Sequence, residues 1–435
     1  MRGQTAHCRS GDGPTRGTGM TRHADLIVLG GGPAGAVSAW LAAREGLGVL
    51  LVDPDRQRPR IEGLSPRLHR WLAQQGLLRG FAHTHGPLRR QVDWAGISDS
   101  NAEHVVLRGA LDAHLRQAAV AAGAVPVVAS GRPEAGGAVL SDGRRLHAPL
   151  VIDARGRNAP ATAGRAPATV ALSGWVRAAL PPGIRLTAFA RGWLWRVALP
   201  DGRVWAQAML DAAGEGDPQA RLLAALVEAE PALCAAPAGP VLAREAAPRL
   251  PAPVADLALL RVGDAFAAMD PLSGHGQFWA VSSALAVAAV RRTLAARPGS
   301  GPLCRRFLIR RAWESSLHQM RVGRDFLRAE TRFRDAPFWS ARRDFPDDHP
   351  LIAPTAPRIE PAILVEDGLL AERELLCTPR SPGGIGWFGA IPAPEVWRLW
   401  QRGGEAALQA RWGGAAPALA RKLLSEIAPW PASAA

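Results

Sequence analysis

Lysine is almost missing from this chain: Lys422 is the only one in 435 residues, although Lys and Arg together number 52. No lysine before it can act as a nucleophilic amine. Arginine stays protonated and does not replace it. Cysteine is also scarce. Cys8, Cys234, Cys304 and Cys377 lie far apart, with no CxxC or metal-ligand spacing. That excludes a disulfide framework, predicts no metal site, and points to a reducing, cytoplasmic setting. No apolar run approaches the length of a bilayer span, so no membrane span is expected. No secretory h-region stands near the start. No internal repeat occurs, and Ala/Pro-rich loops such as 233–253 are the only biased tracts.

What is present is positive charge and apolar bulk. The net charge is +14 and hydrophobic residues make up 48% of the chain, enough for a sizeable core in two or three domains. The first 19 residues are polar, basic and glycine-rich. They read as a disordered tail or a mis-called start, with Met20 opening a more ordinary protein. The densest basic cluster is Arg305, Arg306, Arg310, Arg311, Arg321, Arg324 and Arg328, on one long predicted helix. It reads as a solvated face or as a docking face for an acidic protein. No aromatic RNP-type or helix-turn-helix pattern accompanies it, so nucleic acid is not expected as a partner.

The stretch ADLIVLGGGPAGAVSAW (24–40) carries the sharpest chemistry. Residues 25–29 predict a buried parallel strand. Gly30, Gly32 and Gly35 form GxGxxG. The first glycine allows a tight turn, the second lets a pyrophosphate approach, and the third lets helix and strand pack closely. A helix from Pro33 through Ala34 to about Arg44 aims its N-terminal amides at phosphate. A second strand, 48–52, ends at Asp53, where an acid accepts hydrogen bonds from a ribose.

Later segments choose the cofactor. LVIDARGRNAP (150–160) is a strand and loop. Residues 259–290 hold a strand, Gly263-Asp264, Asp270-Pro271, and Gly274-His275-Gly276 opening an apolar helix. In this order the sequence resembles the FAD-dependent aromatic monooxygenases and their relatives, the flavin halogenases, over residues 24–300. The resemblance implies FAD as cofactor. It implies that Asp264 binds the ribityl chain and that Pro271, Gly274 and Gly276 face the flavin pyrimidine. A helix N-terminus there stabilises charge on the reduced ring. Arg108, in VVLRGALDAHLRQAAVAAGA, is expected at the phosphate or adenine side, and the strand 127–130, with Ala129, beside the adenine.

Two insertions interrupt the cofactor segments, at 72–102 and 168–248. The second predicts antiparallel strands. Trp193, Trp195 and Val197 alternate onto one face, and Pro200-Asp201-Gly202 supplies the turn. By the resemblance this sheet roofs the flavin, and Trp193, Trp195 and Asp93 line the substrate pocket. IEGLSP (61–66) is similar to the GES-type segment of halogenases, and WLWRVALP to their WxWxIP. Halogenases need a lysine in the first insertion to carry hypohalous acid. This chain has Arg89, Arg90 and Asp93 there. Halogenation therefore recedes and oxygen transfer through a C4a-hydroperoxyflavin advances. Proton acceptors expected for it are His275 and Glu62, with His83, His85 and Asp93 behind them.

The C-terminal third predicts a crossing segment at 334–348, a hairpin at 362–377, and helices from Pro394 and over 416–427. The expected fold is thus α/β. It has a discontinuous FAD-binding unit (20–71, 103–167, 249–333), an antiparallel substrate sheet, and a C-terminal α+β module of winged-helix type (334–435). Within the family the chain looks similar to a branch that hydroxylates a peptidyl tryptophan during quinohemoprotein amine dehydrogenase cofactor maturation. That implies a tryptophan-containing protein substrate, dioxygen, and electrons from transient NAD(P)H or a separate reductase. A small-molecule hydroxylase, a halogenase, a polyprenyl reductase and a non-enzymatic flavin-containing assembly factor remain as alternatives.

Overall fold

The computed structural model describes residues 24–56, 59–160, 166–351 and 356–428. The N-terminal tail, Met20 and Cys8 lie outside them. A five-stranded parallel sheet forms the first layer, in the order Leu259–Arg261, Leu150–Asp153, Leu26–Leu29, Val49–Asp53, Val125–Val128. Leu26–Leu29 is buried along its whole length, as a central parallel strand covered on both faces must be. Leu26 and Val28 face the helices Pro33–Arg44, Arg108–Ala121 and Gly276–Ala296. Ile27 and Leu29 face a three-stranded ribbon, Gly131–Glu134, Gly137–Leu140 and Arg145–His147.

The insertions build a nine-stranded sheet. It was expected to be antiparallel and it is mixed. Gly183–Phe189 pairs parallel with Thr84–Trp94, a strand from the first insertion. No short turn joins the two, so hairpin geometry does not constrain their direction. Thr84–Trp94 turns back as Ile97–Leu107, and Ile61–Leu64 completes that edge. Residues 61–64 and 103–107, assigned from sequence to the cofactor unit, thus belong to this sheet. One face of the sheet packs Trp193, Trp195 and Val197 with Trp94, Phe338 and Trp339. The other packs Leu194 and Ala206 under the helix Pro218–Ala229.

Two further expectations change. Residues 334–348 are no mere connector: Pro337–Ser340 is helical, and its Phe338 and Trp339 are buried. Trp339 donates from Nε1 to the Phe189 carbonyl at 2.9 Å. Gly276–Ala296 is long and apolar enough to cross a membrane by length and composition, which the sequence reading overlooked. More than half of its apolar stretch is buried inside the protein, against Pro33–Arg44.

The arginine-rich helix, Gly301–Ala329, spends its charge within the chain. Arg306 pairs with Glu372 and Arg310 with Glu314. Arg321 and Arg324 pair with Asp347, and Arg328 with Asp344 and Asp348. Arg305 donates to the Ala255 carbonyl at 2.9 Å. Arg311 is the exception, its Nε having no hydrogen-bond partner, so a docking face for an acidic protein loses most of its free cations here. Beyond it, the hairpin Arg358–Glu366 and Leu369–Cys377 joins the main core through Leu370, whose N–H donates to Thr293 Oγ1 at 2.9 Å. Helices Ala393–Trp412 and Ala416–Ile427 share a small core of their own.

Candidate functional site

The glycine turn sits at the carboxyl end of the central strand, where open parallel sheets bind ligands. Gly30 has φ of +104°. A β-carbon there would stand 2.4 Å from the Ala154 carbonyl oxygen, and one on Gly35 would stand 1.8 Å from the Gly30 oxygen. Only glycine allows either approach. Gly31 N–H donates to Asp53 Oδ2 at 2.6 Å, so Asp53 closes the turn from the next strand. Ala129 N–H donates to the Asp53 carbonyl at 3.2 Å, which brings the end of Val125–Val128 to the same corner. Pro33, Ala34 and Gly35 are buried in the first turn of their helix.

Beside this turn lies a cluster of arginines that the sequence reading largely missed. Arg108 donates to Glu62 Oε2 and to Asp112 Oδ1, each at 2.6 Å. Arg60 pairs with the other Glu62 oxygen at 2.7 Å. Arg157 faces Asp264 at 3.3 Å. Burial alone would raise the Glu62 carboxyl, but Arg108, Arg60 and Arg244 outweigh it and hold it at about 2. Burial, and then repulsion by Arg60, Arg108 and Arg157, push Arg244 down to about 10 against the pull of Glu62. Arg244 Nε is buried with no hydrogen-bond partner. A cationic pocket with an orphaned donor at a glycine turn suits a diphosphate. Arg60, Arg157 and Arg244 come from segments far apart in the chain, and only Arg108 carried a family signal.

The second half of the site is the turn 263–276. Gly263 N–H donates to Ser283 Oγ at 2.8 Å, and Trp279 Nε1 donates to the Gly263 carbonyl at 3.1 Å. Asp264 is thereby held at the mouth beside Arg157. Asp270 caps the turn Pro271–Ser273, its Oδ1 accepting from Leu272 N–H at 2.8 Å. Gly274 has φ of +67°, and β-carbons on Gly274 and Gly276 would meet nothing within 4 Å. The amides of the long helix therefore open onto free space. His275 is exposed, and its ring nitrogen bonds the Ser273 carbonyl. No set of three or more His, Cys, Asp or Glu side chains is gathered for a metal among the described residues.

Next to this turn is a small, partly open pocket with about 30 Å³ of free volume. Trp193, Met209, Leu272, Leu327, Phe338 and Phe345 make it apolar. Thr169, Asp270 and Arg342 are its polar members. Arg342 lies over the Phe338 ring at 4.1 Å and donates to Thr169 Oγ1 at 2.9 Å. Burial raises the Asp270 carboxyl to about 6, against the Leu272 N–H and the charges of Arg157 and Arg342, which favour the anion. Of the three residues expected at the substrate, Trp193 lines this pocket. Trp195 packs on the same sheet face, and Asp93 points elsewhere, 3.2 Å from Arg332. Nothing in the local sequence marked Asp270, Phe338, Arg342 or Phe345 for this place.

A glycine turn on a parallel sheet, a second glycine-rich helix start, and an apolar pocket under an inserted sheet define a flavin-dependent enzyme. No family model matches the chain. In fold it matches the peptidyl tryptophan dihydroxylase QhpG, essential for tryptophylquinone cofactor biogenesis, at TM-score 0.77 and 33% identity, covering 94% of this chain and 100% of that one. The flavin-dependent halogenase CmlS matches at TM-score 0.74 and 15% identity, over 94% and 96% of the two chains. The myxobacterial chondrochloren halogenase CndH matches at TM-score 0.63 and 22% identity, over 75% and 87%. Menaquinone reductase of Mycobacterium tuberculosis is 36% identical over 113 residues, 23% of this chain and 28% of that protein's length. The chain belongs to the family of QhpG, among the FAD-dependent monooxygenases and flavin halogenases. Its cofactor is FAD, which the glycine turn, the arginine pocket and the open helix start fit.

Proposed function

We propose that this chain hydroxylates an indole ring, that of a tryptophan carried in a protein substrate. The observation that carries this is the 33% identity to a peptidyl tryptophan dihydroxylase along that protein's whole length. The lack of any lysine before Lys422 supports oxygen transfer over halogenation.

FAD, when bound and reduced, supplies activation of dioxygen. In this reading Gly30, Gly32 and Gly35 admit its diphosphate, Asp53 and Ala129 flank the adenosine, and Arg108 with Arg244 balances the phosphate charge. Asp264, Pro271, Gly274 and Gly276 face the ring end. Trp193 packs against the substrate ring, with Trp195 supporting it on the same sheet face, and the apolar walls exclude water so that activated oxygen is not wasted. Of the proton acceptors first considered, Glu62 is an anion locked between arginines, which suits it to hold Arg108. His275 is exposed at the helix start, with its Nδ1 bonded to the Ser273 carbonyl. Residues 20–71, 103–167 and 249–333, less the strands 61–64 and 103–107 that join the inserted sheet, serve as the cofactor unit, with the C-terminal module, of winged-helix type, as an added support for a macromolecular substrate. The free state of Cys234, Cys304 and Cys377 supports a cytoplasmic setting. Electrons come from transient NAD(P)H or a separate reductase.

The test is mass spectrometry of substrates after incubation with reduced enzyme and dioxygen. The substrates are free tryptophan and a tryptophan-containing small protein encoded near this gene. Oxygen added to the protein and not to the free amino acid supports the reading. Oxygen on the amino acid alone makes the enzyme a small-molecule hydroxylase. The stretch shared with menaquinone reductase favours one second reading, reduction of a polyprenyl double bond. That reaction proceeds without dioxygen and yields no oxygenated product.

A further inference from the structure

Asp270 is a carboxylate in the lining of a pocket that is apolar apart from Thr169 and Arg342. Its Oδ1 accepts one backbone N–H, from Leu272, and its other oxygen accepts no protein hydrogen bond among the described residues. The arginine-rich helix Gly301–Ala329 passes behind it at Gly323, where a β-carbon would stand 2.5 Å from the Asp270 carboxyl carbon and 2.7 Å from Oδ2. The carboxyl is thus pinned between helix and turn, in the lining of the pocket that Trp193 shares. Two cations bear on it: Arg157 from the turn Gly156–Asn158, and Arg342 from the crossing segment. Arg342 is itself drawn to Asp211, 3.3 Å away. Neither is within ion-pair distance of Asp270. The remaining lining is Thr169 and apolar groups. A bare acceptor in an apolar, aromatic-lined pocket demands a donor from the ligand. An indole ring carries one N–H on an otherwise apolar body.

We propose that Asp270 is a catalytic residue that binds the indole N–H of the substrate and takes its proton during hydroxylation. This rests on the reading that the substrate ring is an indole. The step balances as follows. An O–O bond breaks in the oxygen species that dioxygen and reduced flavin supply, and a C–O bond forms to the ring. The ring gives two electrons to that bond, and its positive charge reaches the indole nitrogen. The nitrogen's proton passes to Asp270, leaving a neutral ring. The C–H proton at the oxygenated carbon then shifts to nitrogen and restores aromaticity. The proton on Asp270 neutralises the oxyanion left by the broken O–O bond. The raised proton affinity of Asp270 suits a group that must accept and return a proton near neutral pH.

The test uses the FAD holoenzyme, with N-acetyltryptophanamide and its 1-methyl derivative as probes. Binding to the oxidised enzyme is read from the perturbation of flavin absorbance, which needs no turnover. The wild type should bind the N–H probe about tenfold or more tighter, as a hydrogen bond to a charged acceptor predicts. Asp270→Leu should bind the two alike. Asp270→Asn, which keeps the shape, should retain flavin and lose about a hundredfold in oxygenated product per flavin reoxidised. Equal binding of both probes by the wild type overturns the proposal. So does failure of both to bind, discrimination that survives in Asp270→Leu, or wild-type hydroxylation by Asp270→Asn. Discrimination by a wild type that oxygenates nothing leaves this site standing and removes the hydroxylase reading instead.

Discussion

Gly323 leaves room for Asp270: the space its missing β-carbon would fill is the space the carboxyl occupies, at 2.5 Å. Alanine there would gain about 1 kcal/mol of helix propensity in solvent. In this helix it would collide with a pinned turn, and overpacking costs about 1–3 kcal/mol. Gly323→Ala should therefore lower the melting temperature of the holoenzyme and weaken N-acetyltryptophanamide binding. A rise in melting temperature with unchanged binding would contradict the close approach.

The same carboxyl sets a pH dependence. Its proton affinity is raised by burial to about 6 from a usual 3.8. A raised folded value means that folding favours the protonated form. Stability is full below about 3.8, declines as pH rises, and is reduced by about 3 kcal/mol above 6. Asp270→Asn carries no charge to bury. It should be more stable than the wild type at pH 8 and equal to it near pH 3.5, by urea denaturation at the two values. A variant less stable at pH 8 would show that the anion is welcomed in the fold.

Glu62 behaves in the opposite sense. Held at about 2 by Arg108, Arg60 and Arg244, it contributes stability above its usual 4.5, which is lost as pH falls through 2. That contribution is about 3 kcal/mol at most. Glu62→Gln should lose about 2–3 kcal/mol at pH 7 in denaturation and bind FAD less tightly. Its hydroxylation pH profile should keep the wild-type shape, because an anion this acidic does not titrate near neutrality.

Arg108 is the keystone of that cluster. Removing one partner of a buried ion pair costs about 3–5 kcal/mol. Arg108→Met leaves Glu62 and Asp112 facing each other and deletes a phosphate donor. Flavin should be lost on gel filtration, and the melting temperature of the protein should fall. Full flavin retention would place the diphosphate elsewhere.

Arg324 is 2% exposed and donates to the carbonyls of Asp347 and His349, at 2.5 and 2.7 Å. It anchors the segment that follows Arg342 and Phe345 into the pocket. Arg324→Met should release that segment, raise its amide hydrogen exchange, and weaken probe binding with flavin content unchanged. Charge reversal at Arg306, an exposed pair with Glu372, should cost under about 1 kcal/mol and leave binding alone.

What was legible in the chain was what neighbours in sequence make together. The helix Pro33–Arg44 and the helix Ala416–Ile427 were foreseen at their observed bounds. Proline at a helix start and small-residue periodicity are local signals. The hairpin through Asp367-Gly368 was foreseen too, two strands of nine residues each, longer at its first strand than the apolar pattern suggested. GxGxxG named the nucleotide turn through its local spacing: Gly35 must clear the Gly30 oxygen, while Gly30 itself clears the Ala154 carbonyl of another strand.

The arginine pocket and the substrate pocket obey no such rule. Arg60, Arg108, Arg157 and Arg244 meet because four separate strands, 61–64, 97–107, 150–153 and 242–245, bring them to one corner, and only burial turns four ordinary surface cations into a phosphate site. Asp270 stood out in the sequence only beside Pro271, and in the fold it caps a turn; its second role exists because Gly323, far along the chain, leaves the helix bare at that point. The arginines of the long helix looked free for a partner because their acids, Asp344, Asp347, Asp348 and Glu372, return to them from later elements. Periodicity reports which face of an element is buried, and it is silent on what that face meets. Charge and hydrogen-bond partners across the fold come from packing, and packing assigned this chain its polar groups at the flavin and its acceptor in the pocket.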